Sequence, residues 1–131
     1  MTSLRVLLAD DHAAVAEAIG EYVAEAFQLV GTVADGGALV DAAKTLRPDV
    51  IVADISMPVT DGLTAMKRIQ KHLPHMRVIL LTNHGDASLV RYALDAGASG
   101  FVLKVYAPTE LVDAIRAVVD GGTYVSRALA V

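Results

Sequence analysis

Three carboxylates, a lysine and a threonine in this chain each stand where an apolar run stops. Leu4-Arg5-Val6-Leu7-Leu8-Ala9 ends in Asp10-Asp11, and Val50-Ile51-Val52-Ala53 ends in Asp54. Arg77-Val78-Ile79-Leu80-Leu81 ends in Thr82, and Gly100-Phe101-Val102-Leu103 ends in Lys104. In open parallel α/β sheets, ligands bind just outside the carboxyl ends of the strands, so these side chains are expected to share one crevice. Three carboxylates brought together repel by roughly 4 kcal/mol per pair at 4 Å and an effective dielectric of 20. A hard dication such as Mg²⁺ relieves that repulsion and leaves coordination positions free for phosphoryl oxygens. A carboxylate fixed beside it can attack phosphorus and form an aspartyl phosphate, and Asp54 is the expected nucleophile. Asp10 and Asp11 are adjacent and so point differently; one is expected as a direct metal ligand and the other through water. The backbone carbonyl of Ser56 would add a further oxygen. The Lys104 ammonium suits a phosphate oxygen and offsets the acids when no phosphate is present, while the Thr82 hydroxyl can donate to the same group.

Other chemistry-bearing residues read as bland. His12, His72, His75 and His84 show no spacing for a shared metal site, and His84 is taken as a solvated loop residue near the crevice. Gly36-Gly37 matches neither the P-loop nor the dinucleotide fingerprint, and no Ser-His-Asp order marks a hydrolase. Phe101 reads as core by residue type.

The elements that would position these groups alternate five times between strand and helix. Val15, Ala18, Ile19, Tyr22, Val23 and Ala26 predict the inner stripe of the first helix, with Gly20 inside it. Leu29 to Ala34 reads as the second strand. Leu39, Ala42, Ala43 and Leu46 line a short helix that stops before Pro48. Asp61-Gly62 opens a third helix with Leu63, Met66, Ile69 and Leu73 inward, and Pro74 closes it. A fourth helix covers roughly residues 87–96, with Gly97 as the residue after its cap. Pro108 suits the first turn of the last helix, whose inner face is Leu111, Ile115 and Val118 and whose end is Gly121-Gly122. Five βα units in series with right-handed crossovers give a doubly wound α/β sheet. The domain is expected to occupy residues 1–122, with 123–131 as the start of a linker.

The bulk numbers agree with one packed domain. The chain has 131 residues, 54% hydrophobic and 20% charged, which fits a sheet covered on both faces. It has no cysteine, so disulfides and thiolate metal sites are excluded. No apolar run approaches the length of a membrane span and no signal-like segment opens the chain, so a soluble, cytoplasmic location is expected. A net charge of −4 gives no support to direct nucleic-acid binding by this segment.

Taken together, Asp10-Asp11, Asp54, Met57-Pro58, Asp61-Gly62, Thr82 and Lys104 resemble the signature of two-component response-regulator receiver domains. The resemblance runs from Leu4 to about Ala128. Leu7-Leu8-Ala9-Asp10-Asp11-His12, Leu46-Arg47-Pro48-Asp49-Val50 and Gly121-Gly122-Thr123-Tyr124-Val125-Ser126 are similar to the NarL-type (LuxR-like) subgroup. The resemblance implies a flavodoxin-like receiver fold: a five-stranded parallel sheet in the order 2-1-3-4-5 with five helices. It implies Asp54 as phosphoacceptor, Asp10 and Asp11 as Mg²⁺ acids, Ser56 as a backbone ligand, and Thr82 and Lys104 on the phosphoryl group. Phe101 matches the aromatic switch position and, lacking a hydroxyl, would report only by moving between outward and inward packing. The implied partners are a sensor histidine kinase, a second copy of the chain through the first and last helices, and DNA only through a helix-turn-helix output domain outside this chain. The implied chemistry is self-catalysed phosphorylation and slow autodephosphorylation, not turnover of a substrate. Two departures stand out: Val59-Thr60 replaces the Gly-Met or Gly-Leu often seen there, and Val105-Tyr106-Ala107 replaces acidic or small polar residues after the lysine. Alternatives are a receiver fold that works without phosphorylation, or a single-domain receiver acting by protein contact. A haloacid-dehalogenase-like phosphatase would need an acid where Ser56 stands. A flavodoxin-like flavin binder would want hydroxyls where Asp10-Asp11-His12 stand.

Overall fold

The computed structural model describes residues 3–129. Strands and helices alternate: β1 (Arg5–Ala9), α1 (Ala13–Ala26), β2 (Gln28–Val33), α2 (Gly36–Leu46), β3 (Val50–Asp54), α3 (Gly62–His72), β4 (Arg77–Thr82), α4 (Ala87–Asp95), β5 (Gly100–Leu103), α5 (Ala107–Val119) and β6 (Tyr124–Val125). A 3₁₀ turn over Lys104–Tyr106 links β5 to α5, and another covers Arg127–Leu129. The strands form one sheet in the order β2-β1-β3-β4-β5-β6, and every pairing is parallel.

The doubly wound sheet and the order of its first five strands match the expectation; the strand count does not. Tyr124 and Val125 add a sixth strand opposite Gly100 and Phe101. Two residues carry no readable period, so the pairing comes from tertiary contacts. Ser126 N–H donates to the Phe101 carbonyl at 3.0 Å, and Leu103 N–H donates to Ser126 Oγ at 3.0 Å. Ser126 is fully buried and Leu129 nearly so. Residues 124–129 thus pack onto the body of the domain; residues 130–131 of the expected linker lie outside the described residues.

Alternation along the strands builds two cores. Leu7, Ala9, Ile51, Ala53, Val78, Leu80 and Phe101 face α2, α3 and α4. Val6, Leu8, Val50, Val52, Ile79, Leu81 and Val102 face α1 and α5. Near-continuous apolar strands are what burial on both faces requires. Asp35, Asp61 and Asp86 cap α2, α3 and α4, each accepting a hydrogen bond from the backbone N–H three residues on, an arrangement worth about 1 kcal/mol per helix.

Helix α1 lies rotated from its predicted stripe. Ala16, Ile19, Gly20 and Val23 are the buried residues, whereas Val15, Ala18, Tyr22 and Ala26 face solvent. Gly20 explains the rotation: a methyl there would come within 3.2 Å of the Leu29 side chain, so the bare backbone face is the one that fits against the sheet. No helix among the described residues is long and apolar enough to cross a membrane.

Candidate functional site

Parallel register brings the site together. Ala9 lies opposite Ala53, so the residues that follow, Asp10 and Asp54, emerge side by side. Asp54 pairs with Leu81 and Thr82 with Leu103, which sets Thr82 and Lys104 along the same edge. Strand ends leave backbone groups unpaired, and here side chains meet that need through tight turns. Asp10 Oδ1 accepts from His12 N–H at 2.9 Å, and Asp54 Oδ1 accepts from Ser56 N–H at 3.0 Å. Each turn fixes one carboxylate oxygen and frees the other.

The freed oxygens meet Lys104. Its Nζ donates to Asp54 Oδ2 at 2.8 Å and lies 2.8 Å from Asp10 Oδ2. Asp10, Asp54 and the Lys104 ammonium are all nearly buried. The Asp10 contact is an ion pair without hydrogen-bond alignment, so that buried Oδ2 has no hydrogen-bond donor among the described residues. Burial alone would lower the Lys104 pKa; the close contacts with the Asp10 and Asp54 carboxylates and their negative charge outweigh it and hold the ammonium above its ordinary value. Asp11 reaches solvent beside the pair. One ligand atom from each of Asp10, Asp11, His12 and Asp54 lies within 4.8 Å of the others. Three acids whose ligand atoms converge in this way are a fit donor set for a hard dication.

Thr82 is buried at this edge, but its hydroxyl is engaged within its own loop. It donates to the His84 carbonyl and accepts from His84 N–H, the latter at 3.1 Å. Phe101 is fully buried opposite Leu80 on the α2–α4 side, in the inward arrangement. Gly62 brings the start of α3 directly onto the end of the Asp54 strand, where a Cβ would stand 2.3 Å from the Asp54 carbonyl oxygen.

One part of the site's rim, on the β3–α3 loop and the β5–α5 turn, is apolar. Val59 is 90% exposed on the β3–α3 loop, and Val105 and Tyr106 are exposed on the β5–α5 turn. Val59 has φ +67°, and Thr60 N–H donates to the Pro58 carbonyl at 2.7 Å across it. This is the rare, strained form of γ-turn, occupied by a β-branched residue where glycine would sit without strain. The observed φ gives a physical reason for the glycine common in sequences of the resembling pattern.

His12 is the site neighbour that sequence reasoning passed over. Its Nδ1 lies 3.3 Å from Asp11 Oδ1 and 3.6 Å from Asp10 Oδ1. The available signal was its place directly after Asp10-Asp11, not its spacing to other histidines.

Comparison with known proteins places these observations. A family model described as "Response regulator receiver domain" matches residues 6–116. The transcriptional regulatory protein DegU of Brevibacillus brevis is 32% identical over 124 residues, covering 93% of this chain and 52% of that protein. YxjL of Bacillus subtilis, an uncharacterized transcriptional regulatory protein, is 39% identical over 121 residues, covering 90% of this chain and 55% of that protein. The chain therefore spans about half the length of these relatives. Among solved structures, a LuxR-family two-component response regulator from Aurantimonas sp. SI85-9A1 superposes with TM-score 0.93 at 30% identity, covering 98% of this chain and 93% of that one. The isolated receiver domain of RcsB from Salmonella enterica serovar Typhimurium, in the presence of the phosphomimetic BeF₃⁻, gives TM-score 0.87 at 31% identity, covering 98% and 96%.

Proposed function

We propose that this chain, which belongs to the response-regulator receiver family, accepts a phosphoryl group on Asp54 from a phosphohistidine of a partner histidine kinase. The observation that carries the reading is the buried Asp10–Lys104–Asp54 triad at the carboxyl ends of β1, β3 and β5. An Asp54 oxygen attacks phosphorus, the bond to the histidine nitrogen breaks, and the nitrogen keeps the electron pair. Lys104, already bound to Asp54, moves its hydrogen bonds to the incoming phosphoryl oxygens and offsets their charge. Asp10, Asp11, Asp54 and the backbone carbonyl of Ser56 would hold Mg²⁺, which supplies further charge neutralisation and orientation of the phosphoryl group. The convergence of these carboxylates, with ligand atoms within 4.8 Å of one another, supports that assignment. Slow hydrolysis of the acyl phosphate returns the chain to its starting state, so it resets after each signal and does not process a separate substrate.

The switch lies in the β4–α4 loop. Thr82 reaches a phosphoryl oxygen only by leaving the His84 carbonyl, which unties residues 82–84. Phe101 is already inside, so the loop carries the change and Phe101 serves as the packed surface against which it settles. Phosphorylation then shifts the population of two arrangements of this face. Relatives named as transcriptional regulators, about twice as long as this chain, support control of transcription through a DNA-binding domain outside it. A solved RcsB structure described as two dimers bound to two parallel DNAs supports a dimeric form for that larger protein. A cytoplasmic location follows from the same kinase-to-DNA role.

The test is intact mass after incubation with acetyl phosphate and Mg²⁺. Wild type gains one phosphoryl adduct, lost when a chelator is present, and Asp54→Asn gains none. No adduct under conditions that label a known receiver domain overturns the reading and leaves an interaction module of the same fold.

A further inference from the structure

The last described residues lie against the loop that a phosphoryl group on Asp54 would move. Residues 124–129 are fastened to the outer edge of β5, where Ser126 N–H donates to the Phe101 carbonyl at 3.0 Å and Ser126 Oγ accepts from Leu103 N–H at 3.0 Å. Leu129 N–H then donates to the Ser126 carbonyl at 2.8 Å. This turn carries the Leu129 side chain, nearly buried, into the core that holds Phe101 and Val90. Its seat is a glycine. A Cβ on Gly85 would stand 2.8 Å and 3.2 Å from the two Leu129 methyl carbons and 3.4 Å from Thr82 Cγ2. Leu129 therefore rests on bare backbone of the β4–α4 loop.

The carbonyl that Thr82 binds, that of His84, belongs to the peptide unit joined to Gly85. That unit is planar and rigid, so releasing the carbonyl lets Gly85 move with it. Asp86, the next residue, is fixed as the cap of α4 by accepting from Leu89 N–H at 2.8 Å. A loop tied at Thr82 and at Asp86 rearranges between them, which is where Leu129 sits. Beside that seat an open groove of about 310 Å³ runs along Val90, Arg91 and Leu94 of α4, giving the leucine free space to enter.

We propose that residues 126–129 form a strap that reads the β4–α4 loop: Leu129 is seated on Gly85 while Thr82 holds His84, and phosphorylation of Asp54 unseats it and loosens the chain that follows. The proposal rests on the phosphoryl-accepting role proposed above and adds a route by which the loop's rearrangement leaves the domain along the backbone itself. With no side chain at position 85, a shift of the loop passes directly to the leucine methyls, since a gap of about 0.5–1 Å forfeits a quarter to a half of a contact's attraction. Such coupling is reciprocal. If phosphorylation weakens the seat, weakening the seat favours the phosphorylated arrangement by the same factor.

The experiment titrates the whole chain with the phosphoryl mimic BeF₃⁻ at fixed Mg²⁺, followed by NMR. In wild type, NOEs between the Leu129 methyls and the Gly85 α-protons are present in the free chain and are lost with BeF₃⁻ bound. In Leu129→Ala the half-saturating BeF₃⁻ concentration falls by about fivefold or more, whereas a purely structural leucine would lower the melting temperature without moving it. Leu129→Met, which keeps an apolar chain of similar volume on the seat, returns it to within about twofold of wild type. NOEs that persist at full occupancy, or a half-saturating concentration in Leu129→Ala within about twofold of wild type, overturn the strap while leaving phosphoryl acceptance in place. A wild-type chain that neither binds BeF₃⁻ nor gains the acetyl phosphate adduct overturns this proposal and the functional reading together.

Discussion

Removing the Lys104 ammonium isolates what holds the two buried carboxylates in place. Each lies 2.8 Å from Nζ, a Coulomb attraction of roughly 6 kcal/mol per contact at an effective dielectric of 20. Desolvation of three nearly buried ions offsets much of that gain, so the net worth of the triad is far smaller than the gross figure. Taking away one partner is different, because the charges left behind stay buried and unpaired, at a cost of about 3–5 kcal/mol. Lys104→Met keeps the stem's volume and removes only the charge. In chelator its melting temperature is expected to fall by about 10 °C or more, measured by circular dichroism. Adding Asp54→Asn removes one of the stranded charges, so the double variant should be more stable than additivity predicts by about 1 kcal/mol or more. Mg²⁺ at a hundredfold excess over its dissociation constant should return about 2.7 kcal/mol to Lys104→Met. A melting temperature within about 2 °C of wild type in chelator would refute the reasoning, since it would mean the acids are solvated or protonated.

Alkaline titration should show the same triad. The raised Lys104 pKa means its contribution is whole below 10.5 and fades as pH rises through the higher folded value. Tyr124, raised by burial and by its bond to Glu110, loses stability in the same direction above 10.0. In a Tyr124→Phe background, urea unfolding should therefore still show stability falling above pH 10.5, and Lys104→Met in that background should fall less steeply. Val59→Gly removes a left-handed β-branched residue that costs about 1–2 kcal/mol and returns part of this through the looser unfolded chain. A net gain of about 0.5 kcal/mol is expected in the urea midpoint, and a loss would mean that Val59 makes contacts its exposure does not show. Gly62→Ala should destabilise by about 2–4 kcal/mol and lower the yield of phosphoryl adduct, because the methyl would press on the Asp54 carbonyl. Labelling and stability equal to wild type would show that α3 can shift freely.

The strand ends were legible because burial on both sheet faces forces long apolar runs, and each run stops where a charged or hydroxyl group must reach the crevice. Asp10, Asp54 and Lys104 could be placed together from that logic alone. The face of α1 was not legible. In a helix where alanine fills so many positions, the hydrophobic contrast between faces is weak, and the decisive contact is a missing side chain at Gly20 against Leu29. The sixth strand escaped notice because two residues have no period and Ser126, which pins it, looks like any polar tail residue. The engagement of Thr82 by its own loop is likewise a local hydrogen-bond choice that residue type does not disclose.

The short sixth strand also bears on how such a domain can be recombined with other proteins. It covers the backbone edge of Gly100–Leu103 and offers in its place only Tyr124 and Val125, a free edge too brief to template another chain. A fusion junction placed at residue 122, just past the end of α5 at Val119, would expose the longer β5 edge that runs up to Lys104 and invite sheet-to-sheet aggregation. A junction after residue 129 keeps the edge sealed. The seam at which this domain can be grafted thus lies beyond the last turn that packs on it, several residues past the point where helix periodicity stops.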